Sequence, residues 1–450
     1  MERSPKKLVL FTSLPKVGGH STLTLGLCRL LRPHFSSIEI WCKVMPGHGH
    51  SEALAERLEE LGCRVRMLSD LQGKLIPSRV ARFFLSSLRR RPDVFFTLAM
   101  RHLSPLLAVI SLARLRLYYQ ITHDLKPGTI RMLRAYARLF SRIVFICPAT
   151  FEEFPGAAEN RNTYSWIPQS SEIPVSGREQ LRDEREALTA GTRSIRFGII
   201  GRLTVEKGAA VMRQFAQTGG VECEIHVAGS GPLEPAFREL AARPDRPGLP
   251  KVRFHGAFDP SQREAFLRTF FRGIDYLVVP SQDEWETLSM AALEALQHGV
   301  PSVICRTGGL KSFAHPELGP APDPVIRLVE PEALPSTLAA LSKDPRPSWD
   351  STGVLCLAHY DRYFSDHAIL NRWLEVLLKT PWHKVTRPHS LPKRRGGGRK
   401  MRQAPLSFSH ACRKWWRMKQ ADCRAFLPRL SARCIKPYGP LPPCRGRFLP

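Results

Sequence analysis

No stretch of this 450-residue chain approaches the ~18 consecutive apolar residues that a membrane-crossing helix requires. The longest run, Leu106 to Ala113, stops at Arg114, so no helical membrane span is expected. No small-residue cleavage site follows the Leu8–Phe11 run behind Lys6 and Lys7, which reads as a buried first strand and not as a signal peptide. The 11 cysteines include no Cys-x-x-Cys pair, and no histidine pair has zinc spacing, so the reduced thiols of a cytoplasmic protein are expected. No complete G-x-G-x-x-G follows a strand, which argues against a dinucleotide cofactor. Acid is nearly missing from residues 380–450, where Asp422 stands alone among many Lys and Arg. That tail supplies much of the formal net charge of +27 and leaves the preceding body only mildly basic. Lacking any sustained apolar period, it is expected to be disordered. A shifted reading frame would produce the same abrupt change of composition.

What the chain does contain is a repeated alternation of short β-rich runs with segments of helical period. Leu8–Phe11, Ile38–Cys42, Val65–Leu68, Val94–Thr97, Leu117–Thr122 and Ile143–Ile146 read as strands of a first βα series. Pro168 to about Arg193 breaks the rhythm with polar, Pro and Gly residues. A second series follows, with strands Ile195–Ile200, Glu224–Ala228, Val252–His255, Tyr276–Val279 and Ser302–Ile304 and helices near 206–216, 233–242, 260–271 and 287–298. The expectation is an α/β chain of two Rossmann-like, doubly wound domains facing across a cleft, at residues 1–168 and 195–360, joined by 169–194. A terminal helix is expected over 361–379.

Four groups of residues at strand ends carry chemistry. Glu286 and Glu294 lie eight residues apart, close to two helical turns, on a helix expected to begin near Thr287. Carboxylates so placed accept hydrogen bonds from sugar hydroxyls, and a helix N-terminus beside Glu286 offers N–H groups to phosphate. Taken alone, a helix cap and a solvated surface charge are the plainer reading of this pair. Arg202 and Lys207 follow the strand Ile195–Ile200 in Gly201-Arg202-Leu203-Thr204-Val205-Glu206-Lys207-Gly208, a fork and a compact cation suited to a diphosphate. Gly18 and Gly19 follow the first strand, where glycine lets backbone approach an anion closely. His123, with Asp124, follows the strand Leu117–Thr122.

Glu286-x7-Glu294, with Pro280-Ser281 before it and Gly299-Val300-Pro301-Ser302-Val303 after it, resembles the signature of retaining GT-B glycosyltransferases of family 4, the group 1 glycosyl transferases. Companion motifs stand in that family's order over roughly residues 8–379. The resemblance implies a nucleotide-sugar-dependent, retaining hexosyltransferase. It places Glu286 and His123 at the transferred sugar, and Gly18, Gly19, Arg202, Lys207, Leu288 and Ser289 at the donor diphosphate. Glu294 falls at the ribose, and Ala257, in Phe254-His255-Gly256-Ala257-Phe258, beside the base. Two departures bear on donor choice: Ser289 stands where the family usually has Gly, and Ile167-Pro168-Gln169-Ser170 where Ile-Pro-Asn-Gly is common.

With no Asp-x-Asp in the cleft motifs, Arg202, Lys207 and helix dipoles are expected to do the work of a metal, and no cofactor is expected. The acceptor is expected to be a glycan or lipid-linked sugar of lipopolysaccharide or exopolysaccharide synthesis. Ser78–Arg91 and a helix over Thr129–Arg142 are basic and amphipathic, which suits either a solvated face or an anionic membrane surface. Two rivals remain: nucleic-acid binding through the tail around Trp415-Trp416, and a sugar phosphorylase on the same architecture.

Overall fold

The central strands form around runs of Val, Ile, Leu and aromatic residues, as strands covered on both faces require, with single polar residues such as Glu39, Arg116 and Arg196 set among them. The first sheet is built from β1 (Lys7–Thr12), β2 (Ser37–Cys42), β3 (Arg64–Met67), β4 (Val94–Leu98), β5 (Leu115–Gln120), β6 (Arg142–Phe145) and β7 (Tyr164–Trp166). Its helices are α1 (Gly19–Leu31), α2 (Glu52–Glu60), α3 (Pro77–Arg90), α4 (Ser104–Ile110), α5 (Pro127–Tyr136) and α6 (Pro148–Glu153). The second sheet contains β8 (Ile195–Ile200), β9 (Cys223–Ala228), β10 (Lys251–Gly256), β11 (Tyr276–Val279), β12 (Ser302–Cys305) and β13 (Ile326–Val329). This computed structural model describes residues 6–378 except 16–18, 46–48, 99, 101–102, 170–179, 185–193, 259–261 and 320–324. The expectation for the tail from residue 380 onward lies outside the described residues.

The sheet orders are β3-β2-β1-β4-β5-β6-β7 and β10-β9-β8-β11-β12-β13. All named strand pairs are parallel. The strand order therefore reverses between β1 and β4 and again between β8 and β11, and crevices open outside the carboxyl ends of parallel strands at such points. Both sheets lie within one compact unit, Met1–Arg387. One continuous apolar cluster joins Phe11, Phe96 and Tyr119 of the first sheet to Leu277 and Ile304 of the second and to Leu293 on the helix Met290–Gln297. The last helix among the described residues, Asp366–Leu378, returns to the first sheet, where Trp373 packs 5.1 Å from both Phe96 and Tyr119. Among the described residues no helix is long and apolar enough to cross a membrane.

At the amino ends of β8 and β11, Asp275 is wholly buried. It accepts from Arg196 N (2.9 Å), Nε (3.2 Å) and Nη2 (3.1 Å), while Arg346 Nε lies 3.1 Å away. This charge network clamps the second sheet at the end away from its loops.

Three local features differ from the sequence reading. The expected helix over 361–379 is two helices, Val354–Tyr363 and Asp366–Leu378, because Ser365 turns the chain and its Oγ accepts from Ala368 N at 3.3 Å. The basic helix expected over Thr129–Arg142 ends at Tyr136, and Arg142 opens β6. β7 and β13 are additional edge strands of 3 and 4 residues. β7 has three residues with Ser165 at its centre and β13 is interrupted by Arg327, so neither stands out as an apolar run, and pairing with β6 and β12 creates them.

Candidate functional site

The loops after β8, β9 and β11 meet at the second reversal point. Gly208 has φ +74°, and a Cβ there would lie 1.8 Å from the Pro280 carbonyl oxygen, so only glycine lets the β8 loop lie against the end of β11. Gln282 N donates to Glu206 O (2.9 Å), and Ser281 Oγ donates to the same oxygen (3.3 Å). Leu203 N donates to Ser230 O (2.9 Å), tying in the loop after β9.

This lacing sets Lys207 against Glu286: the ammonium donates to Glu286 Oε2, which also accepts from Ser281 Oγ at 3.3 Å. The main-chain carbonyl of Glu286 accepts from Gly309 N at 2.7 Å. Arg202, at the start of the same loop, is exposed, and both it and Lys207 attract the Glu206 carboxylate electrostatically. A compact cation paired with a carboxylate, and an exposed guanidinium, thus stand on the loops at the carboxyl ends of β8 and β11. Such a set can hold an anionic leaving group beside a polyol.

The helix expected near Thr287 begins instead at Met290. Ser289 is its N-cap, with φ −70° and ψ 120°, and its Oγ accepts from Ala292 N at 3.3 Å. Glu286 therefore stands in the preceding loop and does not cap this helix, while its carbonyl meets the first turn of the 3-10 helix Gly308–Ala314 through Gly309 N. A serine at 289 finds employment as a cap, which accounts physically for one departure from the family pattern. Leu288 is buried, and its carbonyl accepts from Gln169 Nε2 at 3.0 Å. Gln169 thereby fastens the start of the connection between the sheets to this loop.

Glu294 is 2% exposed and paired with Arg263, whose guanidinium carbon also lies 5.4 Å from the Phe258 ring centre. Burial excludes the solvated-charge reading. Glu286 and Glu294 keep separate cations, Lys207 and Arg263. Ala257 is exposed at the end of β10, next to Phe258, whose ring stacks 4.8 Å from Phe266.

From the first sheet, His123 approaches the Glu286 loop. Its backbone N–H donates to Trp285 O at 3.3 Å, Nδ1 lies 2.9 Å from Thr150 Oγ1, and Nε2 lies 3.3 Å from Glu153 Oε2. Burial lowers the imidazole pKa, while Glu153 opposes that effect. Asp124 is occupied structurally, accepting from Lys126 N (3.2 Å) and Thr129 Oγ1 (2.9 Å). Gly19 begins α1, while Gly18 lies outside the described residues. His20, which follows, sits 2.7 Å from Thr12 Oγ1, and burial pushes its pKa down to about 4.

Sequence reasoning missed Gly308 and Gly309, directly after β12 and Thr307. A Cβ on Gly308 would lie 2.5 Å from Glu284 O, and one on Gly309 2.8 Å from Glu286 O and from Cys147 Sγ. Both glycines cradle the loop that presents Glu286. The signal was a Gly-Gly pair after a strand, the same signal that singled out Gly18 and Gly19. Trp285 and Lys126 were also missed: the ammonium lies 4.3 Å from the centre of the Trp285 ring.

Residues 194–344 match the family model described as Glycosyl transferases group 1. Glycogen synthase of Rhodospirillum rubrum is 28% identical over 186 residues, a match covering 37% of this chain and 36% of that protein. The chain thus spans about a third of the length of this curated relative. The crystal structure of Anabaena Alr3699/HepE in complex with UDP superposes with a TM-score of 0.60 at 16% identity, over 82% of this chain and 99% of that one. The apo lipopolysaccharide outer core galactosyltransferase WaaB gives a TM-score of 0.57 at 14% identity, over 83% and 99%. Together with the 7-stranded and 6-stranded parallel sheets, these likenesses make the fold GT-B.

Proposed function

We propose that this chain, in which residues 194–344 form a glycosyl transferases group 1 domain on a GT-B fold, is a nucleotide-sugar-dependent hexosyltransferase that retains anomeric configuration. The observation that carries the reading is the Lys207–Glu286 pair at the β8/β11 reversal point, with Arg202 exposed on the same β8 loop as Lys207. A uridine diphosphate sugar is the donor to test first, because the HepE structures hold UDP and UDP-glucose.

On donor binding, the diphosphate takes over the Lys207 ammonium and draws Arg202 onto the leaving group. Glu286, released from that ion pair, is free to accept from the sugar hydroxyls. Charge on the departing diphosphate then develops against cations already in place, the arrangement that lowers a barrier most. Neutral His123 orients the sugar, and the leaving phosphate takes the acceptor proton as the new bond forms on the same face. Glu294 and Ala257 line the nucleoside end, Leu288 and Ser289 the diphosphate, and Gly18 and Gly19 the facing wall. No metal is required. The acceptor is a glycan or lipid-linked sugar of lipopolysaccharide or exopolysaccharide synthesis.

The test is release of UDP from UDP-glucose and UDP-galactose by the purified full chain, with and without a chelator. Turnover supported only by inorganic phosphate and a glycan would replace this reading with the phosphorylase. Loss of all turnover in the chelator would overturn the metal-free leaving-group site.

A further inference from the structure

α3, α4 and α5 form an almost acid-free run of helices on the first sheet. α1 and α2 lead from β1 towards the β3 edge, whereas α3 crosses back to β4, and α4, α5 and α6 lead on towards β7. Right-handed crossovers therefore put α3, α4, α5 and α6 on one face of the sheet and α1 and α2 on the other. α6 carries the acids Glu152 and Glu153, which pair with His315 and Lys311. α2, on the opposite face, carries Glu52, Glu56, Glu59 and Glu60. Between residues 71 and 142, the stretch that contains α3, α4 and α5, the only acids are Asp93 and Asp124. Both are engaged: Asp93 Oδ2 accepts from Lys7 N at 2.9 Å, and Asp124 holds the start of α5.

This cationic face is also apolar. Phe84, Leu85 and Leu88 are exposed on α3, Leu106 on α4, Leu112 just after it and Leu139 just after α5, with Leu85 at 51% and Leu112 at 45%. Arg82, Arg89 and Arg91 stand exposed around the α3 apolar stripe, and Arg131 and Arg138 on and after α5. Arg91 (φ 41°) and Leu112 (φ 53°) are the non-glycine residues of positive φ among the described residues. Glycine is favoured at such positions, yet each carries a long exposed side chain at the carboxyl end of α3 or α4.

We infer that the α3–α4–α5 face docks on an anionic lipid bilayer, with Phe84, Leu85, Leu88 and Leu112 entering the headgroup boundary and the arginines meeting lipid phosphates. Exposed leucine and phenylalanine separate a bilayer from nucleic acid, whose phosphates would engage the arginines but leave the apolar side chains in water. Docking stands independently of the sugar-transfer reaction.

The test is co-sedimentation of the full chain with phosphatidylcholine vesicles lacking or containing phosphatidylglycerol, all variants keeping the basic tail. Binding is expected only with phosphatidylglycerol. Arg82→Glu with Arg89→Glu should weaken it about tenfold or more. Leu85→Ser with Leu88→Ser should weaken it several-fold, as should Leu112→Gly, which suits the positive φ and so keeps the fold intact. Loss in the charge variant alone would mark a general phosphate-binding surface and overturn the bilayer assignment. Unchanged binding in every variant would overturn the face itself.

Discussion

Lys126 and Trp285 join the two sheets: the ammonium of the loop after β5 sits 4.3 Å from the centre of a ring on the loop after β11. The same tryptophan accepts a hydrogen bond from His123 N at 3.3 Å, one residue before Glu286. The position of Glu286 is thereby coupled to the first sheet as well as to its own.

Removing this clasp should cost more in turnover than in stability. An exposed cation–π contact is worth roughly 0.5–1 kcal/mol. Trp285→Ala is therefore expected to leave the melting temperature within a few degrees while lowering kcat/KM about tenfold. A shifted melting temperature with unchanged kinetics would assign Trp285 to the fold alone.

Lys207→Ala should lower kcat by roughly 100-fold or more, the usual scale for deleting a preorganised charge at a leaving group. Lys207→Arg should recover part of the loss, because the charge returns with different geometry. Gly309→Ala should be comparably damaging, since its Cβ would press to 2.8 Å from Glu286 O. Steady-state release of nucleoside diphosphate reads all three.

Acid sensitivity has an identifiable source in His359, buried with Nε2 unpartnered and its pKa pushed down by burial to about 4. The folded-state value lies below the ordinary 6.5, so between these values the unfolded chain binds the extra proton. The stabilisation is complete above about pH 6.5 and is lost as pH falls towards 4. His359→Phe should flatten this part of the stability curve, measured by urea denaturation at successive pH values. His20, with the same depressed value, should preserve part of the slope.

Asp275→Asn should destabilise the chain by about 3–5 kcal/mol, the range for breaking a buried ion pair and stranding its partner. Here the stranded groups are Arg196 and Arg346. The deficit should appear in equilibrium denaturation. Donor binding per remaining folded molecule should be little changed, because Asp275 lies at the strand ends away from the loops.

Much of the fold was legible because its strands are long apolar runs in regular alternation with helices. Ile195–Ile200 and Tyr276–Val279 were read to the residue. The edge strands β7 and β13 were not legible, since pairing rather than pattern makes them. Within the site, Glu286, Glu294, Arg202, Lys207 and His123 stood out through the resemblance to family 4 motifs, since residue type and spacing alone left the glutamates as a cap and a surface charge. Gln169 was marked only as a departure from those motifs, and Arg263, Trp285, Gly308 and Gly309 were not marked at all. Their parts arise from distant segments brought into contact, as when Gln169 reaches Leu288 or Gly309 reaches Glu286.

Local sequence alone determined that strands and helices would alternate, because hydrophobic period acts over a few residues. It also determined which charged side chains would emerge at strand ends. Tertiary structure decided which charges neutralise one another. Glu286 turned to Lys207 and Glu294 to Arg263 because an ion pair depends on distances of a few ångströms between segments far apart in sequence. Spacing could put the two glutamates near one helix, but the Ser289 cap and the lacing of the β8 and β11 loops set the loop conformation from which Glu286 meets its cation.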